Sequence, residues 1–154
     1  MSIEQQDSPI FSIQKIYIKD ISFENPNAPE IFTSAASQPK IEMNLGVTNR
    51  QLDEENWEVA LKISVLARES ESERVLFEIE VEQAGIFYIK NIPVEHIAPV
   101  LAVECPAIIF PYTRQIVSQL TVDGGFMPLL LEPFSFGAAY ENSLKQQQAQ
   151  QPLN

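Results

Sequence analysis

The chain has 154 residues, 45% of them hydrophobic and 20% charged, which favours one globular domain able to build its own core. A net charge of −11 argues against nucleic acid as a partner, because phosphate contacts need a basic face. A single cysteine excludes an internal disulfide framework. The acidic start MSIEQQDSPIF does not read as a secretory signal, and apolar runs such as 107–110 and 127–131 are far shorter than the roughly 18 residues of a spanning helix. A cytoplasmic protein without direct membrane insertion is the expectation.

Residues 1–10 are expected to form a flexible N-terminus, 11–145 the domain, and 146–154 a disordered polar tail. Residues 11–24 read as a strand in which strict alternation fails. Phe11 and Ile13 share one phase, Ile16 and Ile18 the other, and Ile21 and Phe23 return to the first. A bend or bulge would produce that switching. Residues 25–39 carry Pro26, Pro29 and Pro39, whose missing ladder donors mark a crossover or loop.

Three cleaner strands follow. Ile41, Met43, Leu45 and Val47 alternate with Glu42, Asn44 and Gly46. Trp57, Val59, Leu61, Ile63 and Val65 alternate with Glu58, Ala60, Lys62 and Ser64. Val75, Phe77, Ile79 and Val81 alternate with Arg74, Glu78, Glu80 and Glu82. Period-two alternation gives a sheet with one buried and one wet face, and the polar linkers suit antiparallel neighbours.

From Pro93 the signal is helical. Residues 94–104 predict a short helix that Pro99 bends or ends. Residues 107–122 predict the main helix, striped by Ile109, Tyr112, Ile116 and Leu120, with Pro111 in its first turns and Gly124-Gly125 as a C-terminal stop. Residues 136–147 predict a second helix with Phe136, Tyr140 and Leu144 at helical spacing. The fold class is α+β: a four-stranded antiparallel sheet with a long first crossover, packed on one long helix, plus a C-terminal helix.

Chemistry is sparse. His96 is the only histidine and lies nine residues before Cys105, so a Cys-His pair is conceivable. The apolar setting of Cys105 before a proline favours a packed, inert thiol. One Cys and one His cannot fill a four-ligand zinc shell, and no phosphate-binding glycine loop is present, so no metal, cofactor or catalytic residue is assigned. Charge is unevenly placed: residues 1–104 carry 18 of the 21 acidic and 8 of the 10 basic side chains. The segment 105–133 is therefore greasy and nearly neutral. Large apolar patches mark interfaces, and Phe77, Ile79, Val81 and Tyr112 are the candidates for contact between copies, against the plainer reading of a core beneath the sheet.

A resemblance now enters. The Cys105-Pro106 pair, Phe110-Pro111-Tyr112 with Arg114, Gly124-Gly125-Phe126 and Pro128-Leu129 form one block. Gln14-Lys15-Ile16-Tyr17, Lys19 through Glu24, and Pro26 through Pro29 form another. Together they resemble the bacterial export chaperone family SecB over about residues 11–144. The resemblance implies a homotetramer, a dimer of dimers in which strands extend the sheet and long helices pack between sheets. It implies that unfolded preproteins are held and delivered to the translocation ATPase SecA, without a cofactor. It assigns SecA binding to Asp20, Glu24 and Glu80. It assigns a client groove to Ile41, Met43, Leu45, Phe136, Tyr140 and Leu144. The family often has a leucine at the place of Glu78 and usually a tryptophan in the crossover, where this chain has Ala35-Ala36-Ser37. Two other readings stay open: an oligomeric interaction module that holds no client, and a small-ligand binder or enzyme near His96 and Cys105.

Overall fold

Two extra residues put Phe11, Ile13, Ile16, Ile18, Ile21 and Phe23 of the first strand on one face. In the computed structural model, which describes residues 8–34 and 38–150, β1 (Ile10–Glu24) pairs antiparallel with β4 (Val75–Lys90). The register slips between Ile13 and Lys15 and again between Ile18 and Asp20. Each slip restores the face that a simple alternation would lose. Phe11, Ile13, Ile16, Ile18, Ile21 and Phe23 thus lie opposite Ile89, Phe87, Gly85, Gln83, Val81 and Ile79.

β2 (Pro39–Gln51) and β3 (Asn56–Glu69) complete a sheet ordered β1-β4-β3-β2. The chain crosses the whole sheet between β1 and β2, through a 3-10 turn at Glu30–Phe32. Ala35-Ala36-Ser37, the departure in the crossover, lies outside the described residues, as do 1–7 and 151–154. Neighbouring strands align their apolar positions in rows: Met43, Val65, Ile79 and Phe23, then Leu45, Ile63, Val81 and Ile21.

β4 runs on to Lys90, well past the alternation that ends at Glu82. Gln83 interrupts that pattern yet is buried, because its Oε1 accepts a 2.6 Å hydrogen bond from the Thr113 hydroxyl on the helix above.

That helix is longer than expected. α1 (Val94–Pro99), a π-helical stretch (Val100–Glu104) and α2 (Cys105–Asp123) form one continuous run of 30 residues. Pro99 lacks the N–H that a regular α-turn needs, and the wider π turns that follow absorb the defect instead of ending the helix. Pro111 therefore lies in the interior of the run, not in its first turns. By length and composition this run could cross a bilayer, contrary to the expectation that no such segment exists. Its apolar runs are short, but only Glu95, Glu104, Arg114 and Asp123 interrupt them with ordinary charges. It lies across β3 and β4 and buries Leu101, Cys105, Ile109, Phe110 and Val117 there.

The helix ends in a Schellman arrangement. The Phe126 N–H reaches the Thr121 carbonyl at 2.9 Å, and the Gly125 N–H reaches Val122 at 3.0 Å. Gly125 takes φ of 91°, the left-handed conformation this stop requires. α3 (Phe136–Gln150) then packs on the π-helical stretch. It continues through residues 146–150, where a disordered tail was expected.

Phe77, Ile79 and Val81 require a correction. All three are buried within the single chain, in one cluster with Ile109, Phe110 and Val117. Each contributes about 1.5–3 kcal/mol as ordinary core within the chain. Of the four interface candidates, only Tyr112 is open, at 52% exposure.

Candidate client groove and acidic docking face

The crossover and the loop after α2 meet over the start of β4 and enclose a cavity of about 420 Å³. Its walls are Ile31 and Phe32 from the crossover, Ile41 from β2, Leu76 and Phe77 from β4, and Phe126 through Leu129 from the loop. Side-chain amides hold the walls in place. Asn25 Nδ2 donates to the Gly124 carbonyl at 3.0 Å, and Asn27 Nδ2 donates to the Val75 carbonyl at 2.8 Å. The Leu129 N–H donates to Thr121 Oγ1 at 3.0 Å. Aromatic rings form the floor: Phe126 lies 5.0 Å from Phe77 and 5.3 Å from Phe32, between centroids. Such contacts are tolerant of many apolar partners.

A second cavity of about 380 Å³ opens beside the first along β2. Leu45 and Val47, Ala102 of the helix, and Phe134, Phe136, Ala139 and Tyr140 line it. The six predicted groove residues therefore divide. Ile41 belongs to the first cavity, and Leu45, Phe136 and Tyr140 to the second. Met43 lies between these positions on the partly exposed edge strand, and Leu144 is exposed further along α3; neither lines either of these two cavities. The groove residues named from the sequence do not include Phe32, Phe126 and Met127, because these sit in segments without periodicity. The Gly-Gly-Phe turn was the available signal.

The opposite face of the sheet collects carboxylates. Asp20 pairs across β4 with Glu82, Ser22 with Glu80, and Glu24 with Glu78, so the predicted Asp20, Glu24 and Glu80 share one face. Leu66 lies opposite Glu78 and opposite Glu42 of the outer strand, which adds one apolar side chain to the patch. Among the described residues, none of these carboxylates forms a salt bridge, while Glu58 draws in Lys19 at 3.0 Å and Arg50 at 4.0 Å.

The pair considered for catalysis is not built. Cys105 is fully buried and burial pushes its thiol up to about 12, with Glu104 adding to the shift, whereas His96 is exposed on α1. Among the described residues no group of three or more His, Cys, Asp or Glu is placed to hold a metal ion.

Among the described residues, this α+β sheet-and-helix unit carries open aromatic cavities on one side and carboxylates without salt bridges on the other. The family described as "Preprotein translocase subunit SecB" matches residues 4–147. The Protein-export protein SecB of Desulfotalea psychrophila is 48% identical, covering 96% of this chain and 94% of its own length. That of Chromobacterium violaceum is 49% identical over 98% of this chain and 96% of its own length. The fold is shared with the Mycobacterium tuberculosis Rv1957 SecB-like chaperone, solved with a ChAD peptide from the Rv1956 HigA1 antitoxin. Its TM-score is 0.67 at 17% identity, over 81% of this chain and 91% of that one. The chain belongs to the SecB family of protein-export chaperones.

Proposed function

We propose that this chain is a cytoplasmic homotetramer that holds non-native preproteins in its two cavities and passes them to SecA through the acidic face. The observation that carries this reading is the pair of open, aromatic-lined cavities aligned along β2 in a SecB-family chain. Many weak apolar contacts along an extended segment bind unfolded chains and leave folded ones, whose apolar side chains are already covered, unbound. No step of this cycle needs a catalytic residue.

The unpaired carboxylates Asp20, Glu24, Glu78, Glu80 and Glu82 suit a basic partner, since complementary charge steers encounter and fixes orientation. Leu66 supplies an apolar contact next to Glu78, where relatives of this family often carry leucine. Assembly is supported by what the chain leaves open. β1 is an edge strand whose inner-face Phe11, Ile13, Ile18 and Ile21 remain exposed, and the outer side of the helix exposes Tyr112 and Val122. An unpaired edge flanked by apolar side chains is a template for another copy of the same strand.

The test is aggregation of a chemically unfolded client on dilution, followed by light scattering. The chain at stoichiometric tetramer should suppress it without nucleotide. Undiminished scattering would contradict the client-holding reading.

A further inference from the structure

We propose that Met127 is an oxidation site and that its conversion to the sulfoxide by hydrogen peroxide loosens the grip of the first cavity on a client; the functional half of this proposal rests on the client-holding reading. The chain has three methionines and one cysteine. Among the described residues the sulfur-bearing residues are sharply ranked by access. Cys105 is 0% exposed, Met43 39% and Met127 88%. The thiol that ordinarily senses oxidant is thus closed off, and its protonated form is favoured by burial. The accessible sulfur sits in the binding site instead.

Its setting is specific. Met127 lies between Phe126, whose ring packs on Phe77 and Phe32, and Pro128, and all of these line the same cavity. The backbone on both sides is tied to one residue of the helix. Phe126 N–H reaches the Thr121 carbonyl at 2.9 Å, and Leu129 N–H reaches Thr121 Oγ1 at 3.0 Å. The loop is held while the thioether stays free at the rim. A flexible, polarisable side chain there adapts to varied apolar segments and gains sulfur–aromatic contact with them.

The chemistry balances. A lone pair of the Met127 sulfur attacks one peroxide oxygen, an S–O bond forms and the O–O bond breaks. Sulfur is oxidised by two electrons, the transferred oxygen gives up its proton, and the remaining peroxide oxygen takes that proton and leaves as water. The product is a polar, chiral sulfoxide, which places a strong acceptor at an apolar rim. Methionine sulfoxide reductases reverse the change, one enzyme for each epimer, so the site is a switch and not only a lesion.

The experiment treats the full chain with graded hydrogen peroxide, maps the added oxygen by peptide mass spectrometry, and measures affinity for an unfolded polypeptide. Met127 should gain oxygen before Met43, with Cys105 unmodified. Affinity should fall about 2- to 10-fold, the range that lost sulfur–aromatic contact implies. The two reductases together should restore it. The Met127→Leu variant, referred to its own untreated affinity, should show no loss at the dose that saturates Met127. Earlier oxidation of Met43 or Cys105, an unchanged affinity at full Met127 oxidation, or an equal loss in the leucine variant would each overturn the proposal alone. An untreated chain that binds no client would overturn the chaperone reading, and the switch with it.

Discussion

Glu58 is the one buried carboxylate among the described residues, and its partners come from across the sheet. The Tyr17 hydroxyl and Lys19 Nζ, both on β1, donate to its two oxygens, although β4 lies between β1 and β3. Tyr17 has the small Ala84 as its register partner on β4. The Tyr17 hydrogen bond, with Lys19 and Arg50, holds the Glu58 carboxyl below its ordinary value against the opposing effect of burial. Burial, reinforced by Glu58, pushes the Tyr17 phenol up to about 12. Both shifts predict pH limits. As pH falls below 4.5, unfolded Glu58 takes up its proton first, so stability is lost. As pH rises from 10 towards 12, unfolded Tyr17 loses its proton first, and stability is lost again. Glu58→Gln should flatten the acid limb of urea-unfolding midpoints; a limb of unchanged slope would contradict this pairing. Alternation placed Glu58 on the wet face correctly but not its burial, which depends on the bulge at Lys19. Gly124 shows the same limit. The sequence marked it as a stop, but its further role is that a Cβ there would run into the Phe23 ring. Gly124→Ala should cost about 1–3 kcal/mol by overpacking, measured as a lower urea midpoint.

At the scale of elements, the readable features were those with a local signature. The phase switches of β1 showed its two bulges, the prolines showed the crossover, and the glycine pair showed the helix stop. The end of β4 and the full length of the helix were hidden, because a polar residue breaks the alternation of the strand and a proline normally ends a helix. Gln83 is tolerated through Thr113, and Pro99 through the π turns. Core and interface were also confused, since Phe77, Ile79 and Val81 look alike in either role until the helix is seen lying over them. The exposed inner face of β1 is the better candidate. Ile18→Lys with Tyr112→Ala should shift sedimentation from tetramer towards smaller species, because a charge on an apolar contact is costly. An unaltered profile would remove β1 and the outer side of the helix from the interface.

At the scale of the whole molecule, charge and apolar surface are sorted onto opposite faces of one sheet. The cavities along β2 lie on the helix side, and the carboxylates lie on the other. In the proposed cycle, holding and docking are thereby separable. Asp20→Ala with Glu24→Ala should weaken SecA binding about tenfold at low salt and less at high salt, leaving client affinity intact. Equal calorimetric affinities would remove those two residues from the docking face. The family and the acidic face were legible because motifs and alternation survive in one dimension. The cavities were only half legible, because Phe32 and Phe126 come from loops that meet only in the fold. The most direct test of the account is the affinity of an unfolded preprotein for the native chain and for Phe32→Ala with Phe126→Ala, at matched native mass. The account predicts a loss of about tenfold or more, since each aromatic contact is worth about 0.5–1.5 kcal/mol beyond its buried area. An affinity equal to that of the native chain would contradict it.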